Sequence, residues 1–284
     1  MTFIKTDKSN SLLYRTFLSL STNMKILKKY QLIEEIGSGT FSAIYKAKDI
    51  YTNKYCAVKI EPKDKALLET DPCNIPLIVR EAHIYNALYK VDEIPKLLWF
   101  GFDNQCYRYC MVLPLLTCSF RSLQYNLEED RESWIRAGRF MLQAVKALHQ
   151  NRYIHRDIKP DNFMFDENGK AYLIDLGLCK QFIRNGKHVP PRHRTSVIGT
   201  VNYISVNIHN MEEPSRRDDV ESVCYILWKI CGGLDWDTYD ASDLPTILDC
   251  KTQMMNNPKV PHELLNLLQK TRNLGYAEEP CYIL

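Results

Sequence analysis

The residues best suited to chemistry lie in one stretch, His155–Gly177, which reads HRDIKPDNFMFDENGKAYLIDLG. Asn168-Gly169 is a strong signal for a two-residue hairpin loop, because a type I′ turn needs positive φ at both central positions. With that loop Asn162 faces Asp175, and directly opposed residues of an antiparallel pair lie roughly 4.5–5.5 Å apart. Two oxygen ligands at one hairpin end predict a site for Mg²⁺, a cation that prefers oxygen. The alternative is a surface hairpin whose ends are polar.

Asp157 lies five residues before Asn162, with Lys159 and Pro160 between them. A carboxylate outside the metal pair is what a substrate hydroxyl needs, to be oriented and to give up its proton. The Lys159 ammonium can neutralise charge on a phosphoryl group during transfer. We therefore expect Asp157 and Lys159 to be catalytic.

A glycine-rich segment, IGSGTFSAIY, begins at Ile36 and separates two β-rich runs. Gly37 and Gly39 let backbone N–H groups approach phosphates without interference from a Cβ atom, which predicts a phosphate-binding turn. A plain β-turn would have a similar sequence, and Ser42 replaces the third glycine of the GxGxxG pattern. A dinucleotide-binding fold is disfavoured, because strand rather than helix follows the glycines.

Lys59 ends the strand CAVK, and Glu81 lies on the inward face of the next predicted helix. Ile78, three residues before Glu81, and Tyr85, four after it, belong to the same apolar face. A buried carboxylate needs a partner, and Lys59 is the natural one; a solvated lysine at a sheet edge is the alternative. The HRD loop further along the chain resembles that of protein kinases, and this resemblance implies that the pair holds the Lys59 ammonium against the α and β phosphates of ATP. Lys59 is therefore also expected to be catalytic.

The same resemblance implies an adenine site where the strands give way to helices, lined by aliphatic residues. Leu113, Leu115 and Leu116 are expected against the base, with Ala57 above it, although ordinary core packing would use the same residues. Pro114 has no backbone N–H, so its carbonyl or Leu116 is expected to contact adenine. The residues expected to bind the nucleotide are Ile36, Gly37, Ser38, Gly39, Ile44, Ala57, Lys59, Glu81, Leu113, Pro114, Leu116 and Asn162.

Strand-like and helical runs occupy different parts of the chain. Five β-rich runs predict a small antiparallel sheet, with one helix near Pro76 to Tyr89. The runs are LIEEI, SAIYKAK, YCAVKI, KLLWFGF and YCMVLPLL. Three longer amphipathic or buried runs predict a mainly helical second part: SWIRAGRFMLQAVKALHQ, DVESVCYILWKIC and HELLNLLQKT. The predicted fold is α+β with an N-lobe of residues 30–117, a C-lobe of residues 118–284 and a ligand cleft between them. Residues 1–29 are expected to be a flexible extension rather than a targeting signal.

Composition is that of an ordinary globular protein, with 45% hydrophobic and 25% charged residues. The formal charge of +3 is too small to predict nucleic acid as the main partner. None of the ten cysteines forms a CxxC pair, which favours a reducing, intracellular location in the cytoplasm or nucleus. No apolar run is long enough for a membrane span, and we expect a monomer.

With these motifs the chain resembles eukaryotic protein kinases from about Tyr30 to Trp236. HRD followed five residues later by Asn, and then by an Asp of the metal site, is the catalytic-loop pattern of that superfamily. The chain is identified as a divergent member of the casein kinase I family by the phrases HRDIKPDNF, HVPPRHR, GTVNYISVN and PSRRDDVES. The resemblance implies an enzyme that uses ATP and Mg²⁺ to phosphorylate Ser or Thr in protein substrates.

The resemblance also implies roles for single residues. Asp219 matches the residue that anchors the catalytic loop from below, and Lys159 beside Asp157 matches the Ser/Thr rather than the Tyr pattern. Asp175-Leu176-Gly177 replaces the usual Asp-Phe-Gly, which changes a packing residue but keeps the metal ligand.

Substrate preference is where the chain departs from the family. Asn202 stands where casein kinase I members usually carry an arginine that binds a primed phosphate, and the segment after Trp236 is acidic where the family is usually basic. A basic cluster is expected either to attract acidic peptides or to be a plain solvated surface. Its members are Arg156, Lys180, Lys187, Arg192 and Arg194.

Two other functions are compatible with the same fold. A pseudokinase or scaffold would bind partners without catalysis, but its signature would be the loss of a catalytic residue. All four such residues are present: Lys59, Asp157, Asn162 and Asp175. A small-molecule kinase is disfavoured, because the segment between Asp175 and Asn207 is long enough to form a platform for a peptide.

Overall fold

The computed structural model describes residues 24–39, 42–61, 75–123, 131–231 and 236–284. These residues divide into two compact units. The first contains the described residues up to Ala82 together with Lys96–Leu115, and the second contains His83–Pro95 and Leu116–Leu284. The first unit carries an antiparallel sheet and the second is mainly helical, which confirms the predicted α+β fold class.

The first unit is built on a six-stranded antiparallel sheet with the order β1-β2-β3-β4-β6-β5. Its strands are β1 Lys25–Ile26, β2 Tyr30–Gly39, β3 Ser42–Asp49, β4 Tyr55–Ile60, β5 Trp99–Asp103 and β6 Arg108–Pro114. Alternate residues of β3, namely Ala43, Tyr45 and Ala47, are buried in one apolar core together with Val58 of β4. Because side chains alternate between the two faces of a strand, one face of the sheet is buried in this core and the other is half-buried.

Helix α1, Leu77–Ala87, begins directly after Pro76, as the sequence predicts. The carbonyl of Pro76 accepts hydrogen bonds from the backbone N–H of Val79 at 3.0 Å and of Arg80 at 3.3 Å. A proline suits this place because the first N–H groups of a helix have no partner within the helix.

Strand β1 lies inside residues 1–29, where the sequence predicted a flexible extension, and that prediction is wrong for Lys25 and Ile26. Ile26 pairs with Tyr30 and is fully buried in the core of the sheet. The backbone N–H of Leu27 donates to the Asp103 carboxylate at 2.7 Å. The burial of Ile26 and the hydrogen bond of Leu27 thus hold this strand on the sheet. Residues 1–23 lie outside the described part.

The glycine-rich segment is strand, not turn, up to Gly39. Strands β2 and β3 stay paired as far as Gly39 and Ser42. The turn predicted at Gly37–Gly39 is therefore corrected: the connection consists of residues 40–41, which lie outside the described residues. The register shifts between Glu35 and Gly37, and such a bulge bends its strand locally.

In the described part of the chain, six further α-helices lie in the second unit. They are α2 Phe120–Leu123, α3 Arg131–Gln150, α4 Val206–His209, α5 Arg216–Ile230, α6 Leu244–Gln253 and α7 His262–Arg272. Helices α3, α5 and α7 correspond to the three that the sequence predicts, whereas α6 was not predicted. Within the described ranges, no helix combines the length and the apolar character that crossing a membrane requires.

Short strands connect these helices. They are β7 Cys118–Ser119, β8 Tyr153–Ile154, β9 Phe163–Phe165, β10 Ala171–Leu173, β11 Lys180–Gln181, β12 Ile183–Arg184 and β13 Lys187–His188. The β9–β10 hairpin exists as predicted, but its register differs by one residue. Phe165 pairs with Ala171, whereas the prediction paired it with Tyr172.

The register differs because the β9–β10 loop has three residues rather than two. The backbone N–H of Asp166 donates to the Lys170 carbonyl at 2.9 Å, and that of Gly169 donates to the Asp166 carbonyl at 3.1 Å. Gly169 has a φ of 77°, and Asn168 is not among the residues with positive φ. The Asp166 carboxylate accepts the N–H groups of Asn168 and Lys170, both at 2.9 Å. This is a type I turn followed by a left-handed glycine.

Candidate active site

One buried carboxylate holds the predicted catalytic loop. Asp219, in the first turn of α5, accepts the backbone N–H of His155 at 2.7 Å and of Arg156 at 2.9 Å, and its Oδ2 lies 2.8 Å from Nε2 of His149. Burial by itself raises the pKa of Asp219, but the hydrogen bond from His149 and its other contacts outweigh burial and lower the pKa. The carboxylate is therefore held in its ionised form, which can accept all of these donors.

His155 connects the catalytic loop to the segment that carries Asp175. Its buried ring has Nε2 3.0 Å from the carbonyl oxygen of Ile174 and Nδ1 3.3 Å from the backbone nitrogen of Asp157. Nδ1 can accept that N–H only when Nε2 carries the proton, so the hydrogen bonds assign the tautomer. The same ring therefore fixes Asp157 and the residue before Asp175.

Side chains of the second unit engage both oxygens of the Asp157 carboxylate. The Thr200 hydroxyl donates to Oδ1 at 2.7 Å, and the Lys159 ammonium donates to Oδ2 at 2.8 Å. Lys159 Nζ also lies 3.4 Å from the Thr200 hydroxyl. The structure thus brings two of the three residues predicted to be catalytic, Asp157 and Lys159, into contact and adds a threonine to them.

Thr200 is a site residue that the sequence analysis missed. It lies 43 residues after Asp157, so no helical or strand period relates the two positions. The available signal was its place in the phrase GTVNYISVN, which marked the family resemblance but received no role.

The amide of Asn162 is oriented by its nitrogen, which donates to the carbonyl of Asp157 at 2.8 Å. The amide oxygen is then the atom that can face a cation. The backbone carbonyl of Asn162 accepts the N–H of Ile174 at 2.9 Å. Ile174 rather than Asp175 therefore lies opposite Asn162, and the predicted pairing is wrong by one residue.

Asp175 follows Ile174 directly and has a left-handed backbone, with φ 59° and ψ 67°. That region is uncommon for residues other than glycine and is often found at functional sites. The backbone N–H of Asp175 donates to the Tyr85 hydroxyl at 3.2 Å. Because β10 ends at Leu173 and Asp175 is left-handed, the alternation along the strand no longer fixes the direction of the Asp175 side chain.

In the first unit, Lys59 and Glu81 form the predicted ion pair. Nζ of Lys59 lies 2.7 Å from Oε2 of Glu81, and the two side chains are 16% and 3% exposed. Glu81 is buried on the same face of α1 as Ile78 and Tyr85. A nearly buried carboxylate thus fixes the position of the ammonium on the sheet, and the predicted contact is confirmed.

Three aliphatic residues predicted to bind the nucleotide share the half-buried face of the sheet with Lys59. Ile44 pairs with Lys59, and Ala57 pairs with Leu113. Ala57 and Lys59 are two residues apart, so all four side chains point to one face. The structure therefore groups these residues as the sequence predicts.

Other residues of the predicted nucleotide set lie apart from this group. Pro114 pairs with Cys56, which belongs to the buried core on the opposite face. Ile36 is 48% exposed, beside the bulge in β2, and Leu116 belongs to the second unit. Gly37, by contrast, pairs with Ile44 of this group, and together with Ser38 and Gly39 it forms the end of β2.

Two of the five residues in the predicted basic cluster, Lys180 and Arg194, contact one buried acid. Glu213 is 3% exposed, contacts the Lys180 ammonium and lies 3.8 Å from Arg194. Arg156 donates its Nε to a backbone carbonyl at 2.6 Å. The exposed members of the cluster are Lys187 and Arg192.

Asn202 has an acidic neighbour. Its Nδ2 donates to Oδ1 of Asp237 at 2.7 Å, and the Lys229 ammonium contacts Oδ2 of the same carboxylate. The Asn202 carbonyl accepts the indole N–H of Trp236 at 3.0 Å. A phosphate brought to Asn202 would therefore meet a carboxylate.

The backbone around Gly199 leaves no room for a side chain. A Cβ atom there would lie 2.6 Å from the carbonyl oxygen of Arg156, and the φ of Gly199 is 99°. Gly186 has a φ of 75° with nothing within 4 Å. We expect Gly199→Ala to lower the free energy of unfolding by about 3 kcal/mol and Gly186→Ala by about 1 kcal/mol. Urea denaturation measures both, and equal losses would contradict the close approach.

Comparison of the sequence with known proteins shows which family the chain belongs to. The sequence matches the protein kinase domain family over residues 30–273. The chain therefore belongs to the protein kinase family. It is also 34% identical over 267 residues to a probable casein kinase I homolog of Encephalitozoon cuniculi (strain GB-M1), an alignment that covers 89% of this chain and 81% of that protein. Within the family, the chain is casein kinase I-like.

Proposed function

We propose that this protein kinase transfers the γ-phosphate of ATP to Ser and Thr hydroxyls of protein substrates. The observation that carries the proposal is the Asp157 carboxylate, which binds Lys159 with one oxygen and Thr200 with the other. A carboxylate held in this way is a fixed acceptor for a hydroxyl proton.

Asp157 is proposed to orient the substrate hydroxyl. Each carboxylate oxygen has more than one acceptor position, so the contacts with Thr200 and Lys159 still leave room for an incoming O–H. Because both oxygens are tethered, the carboxylate cannot rotate away from that hydroxyl. The Lys159 ammonium, 2.8 Å from Asp157, is proposed to offset negative charge on the phosphoryl group that is transferred.

Asn162 and Asp175 are proposed to hold Mg²⁺. Their oxygens are the hard ligands that this cation prefers, and the bond from Asn162 Nδ2 to the Asp157 carbonyl, at 2.8 Å, leaves the amide oxygen for a metal. The residues therefore fit the ion. Bound Mg²⁺ would neutralise charge on the phosphates of ATP.

Lys59 is proposed to contact the α and β phosphates, with Glu81 holding its ammonium in place. The half-buried face with Ile44, Ala57 and Leu113 is proposed to pack against adenine. The carbonyl of Pro114 or the backbone of Leu116 would supply the hydrogen bonds to the base, and the Gly37–Gly39 strand end would approach the phosphates.

Incubation with γ-labelled ATP, Mg²⁺ and either casein or a degenerate Ser/Thr peptide library tests the proposal. We expect label in phosphoserine and phosphothreonine, and loss of transfer when EDTA removes the metal. Labelling of metabolites but of no protein would instead indicate a small-molecule kinase. ATP binding without transfer to any acceptor would indicate a pseudokinase or scaffold.

Acidic peptides are not expected to be favoured at Asn202. Asp237→Asn removes the carboxylate that contacts Asn202 at 2.7 Å. For an exposed charge, we expect a gain of about two- to threefold in kcat/KM for an acidic peptide relative to a neutral one. Asp240→Asn, which alters another acid of the same segment, serves as the control. The same gain in both variants would contradict a specific effect of Asp237.

Some predictions from the sequence concern the whole protein rather than the site. We propose that the chain acts as a monomer inside the cell, in the cytoplasm or nucleus, without a nucleic acid partner. Size-exclusion chromatography and fractionation of cells test these points.

A further inference from the structure

Lys251, on helix α6, is a cationic side chain with no exposed surface. Its Nζ donates to the carbonyls of Val201 at 2.7 Å and Ile204 at 2.8 Å, and it lies 3.1 Å from Nε2 of His209. An ammonium has three N–H donors. All three therefore have an acceptor in the described structure.

Charged and aromatic groups from α5, α7 and the turn at Trp236 surround this ammonium. Nζ lies 4.8 Å from the ring centre of Tyr225 and 5.7 Å from that of Trp236. Burial lowers the pKa of Lys251 to about 7, a shift that Glu221 of α5 opposes and Arg272 of α7 assists.

His209 lets the contacts persist when Lys251 changes its protonation state. Burial, and then the charge of Lys251, lower the pKa of His209 to about 3. The neutral ring can accept at Nε2 from an ammonium, or donate from Nε2 to a neutral amine. Lys251 can thus hold both backbone carbonyls on either side of pH 7.

The two carbonyls belong to the segment Gly199–Ser205, called here the acceptor segment. Its second residue, Thr200, donates to the Asp157 carboxylate at 2.7 Å. The segment therefore begins at the proposed catalytic base and passes directly over Lys251.

The acceptor segment is one compact turn. The backbone N–H groups of Tyr203 and Ile204 donate to the Thr200 carbonyl at 2.8 and 3.1 Å. A second buried donor, the Trp236 indole, binds the Asn202 carbonyl at 3.0 Å. The carbonyls of residues 201, 202 and 204 are thus fixed by Lys251 and Trp236 together.

We propose that Lys251 is a positioning residue for the acceptor peptide, because it holds the acceptor segment in the one conformation that keeps Thr200 on Asp157. The proposal rests on the proposed function, since it names the element that presents a peptide to Asp157. Lys251 acts through Thr200 and the segment's backbone, and it does not touch the reacting groups.

If Lys251 only filled space in the core, its replacement by an apolar side chain would have a different effect from the one proposed here. Removing an ammonium from water costs free energy. If the side chain at this position only had to fill space, an apolar side chain of similar length would therefore serve equally well. Methionine has that length and packs well against aromatic rings, but it leaves the Val201 and Ile204 carbonyls without donors. Lys251→Met therefore distinguishes the packing of this side chain in the core from its role in positioning the acceptor segment.

We expect Lys251→Met to raise the KM for a peptide substrate at least about tenfold, a typical effect of a misplaced substrate-positioning element, while the KM for ATP changes less than about twofold. Lys270→Met, which removes an exposed lysine of α7, is the matched control and should change neither. A folded Lys251→Met protein with an unchanged peptide KM would overturn the proposal. So would an equal rise of both KM values.

Hydrogen exchange gives a readout that does not depend on activity. We expect the amides of Tyr203 and Ile204 to exchange at least about tenfold faster in Lys251→Met than in the wild type, because their turn is no longer held. Unchanged protection would overturn the proposal even if the wild-type protein transfers no phosphate. Inactivity of the wild-type protein would instead count against the proposed function.

Trp236→Phe decides the question if Lys251→Met does not fold. Phenylalanine keeps an aromatic ring beside Lys251 but removes the N–H that binds the Asn202 carbonyl. We expect a two- to fivefold higher peptide KM, of the order of one lost neutral hydrogen bond, with the KM for ATP unchanged. An unchanged peptide KM would show that the carbonyls of the acceptor segment do not position the peptide.

Discussion

Asp157→Asn is expected to lower kcat for phosphate transfer by about 10³-fold, within the range that general base catalysis contributes. Asparagine has nearly the same shape and keeps one oxygen, but it cannot take the proton of the substrate hydroxyl. It also replaces an acceptor by an NH₂ group facing either the Lys159 ammonium or the Thr200 hydroxyl, which lie 2.8 and 2.7 Å from the Asp157 oxygens. The variant is measured with a Ser-containing peptide at saturating ATP.

Asp161→Asn is the matched control for this substitution. Asp161 lies four residues further along the same loop, where its 39% exposed side chain pairs with Arg121 at 3.3 Å. Exposed ion pairs contribute little, so transfer should stay within about twofold of the wild type. Thermal unfolding should be similar in the two variants. Wild-type turnover in a folded Asp157→Asn protein would refute the role of this carboxylate.

Lys59→Met is expected to lower kcat/KM for ATP by about 10²- to 10³-fold, the effect of removing one electrostatic contact to a reacting group. The ammonium contacts Glu81 at 2.7 Å and is only 16% exposed, so no other position of the side chain is equally favourable. Methionine fills the same space on the sheet but presents no charge to a phosphate. Steady-state kinetics with ATP as the varied substrate measures the effect.

Two further variants show whether the effect of Lys59→Met is specific. Lys54→Met removes an exposed lysine just before β4, and it should leave the kinetics unchanged. Glu81→Gln keeps the ammonium but loosens its position, so its effect should fall between the other two. If Lys59→Met and Lys54→Met behave alike, Lys59 does not contact the nucleotide.

Local patterns explain which contacts the sequence could predict. Glu81 follows Ile78 by three residues and precedes Tyr85 by four, so the helical period alone places its carboxylate on the buried face of α1. A strand lysine was then its natural partner, and the structure has that contact. The catalytic loop could be recognised in the same way, because Asp157 and Asn162 lie within one short segment.

The register of the β9–β10 hairpin depends on the Asp166 side chain, which a prediction from backbone turn preferences does not consider. Asn168-Gly169 favours a two-residue loop when backbone propensity decides alone. Asp166 instead accepts two N–H groups of the loop, both at 2.9 Å, and so selects a three-residue turn. Because of this difference, the residue opposite Asn162 is Ile174 rather than Asp175.

Contacts distant in sequence could not be predicted from spacing. Thr200 lies 43 residues from Asp157, and Lys251 lies 50 residues from Val201. Neither pair lies on one helix or one hairpin, so only the packing of the second unit brings them together. A buried lysine in a helix that the sequence analysis did not predict gave no signal of its role.

The most direct test of the account is a structure of the protein with Mg²⁺, a non-hydrolysable ATP analogue and a Ser-containing peptide. We expect the amide oxygen of Asn162 and the carboxylate of Asp175 to bind the same Mg²⁺ at about 2.0–2.1 Å. We also expect the serine hydroxyl to lie within hydrogen-bonding distance of Asp157. A nucleotide-bound Mg²⁺ held without these two residues, or a serine hydroxyl remote from Asp157, would contradict the account.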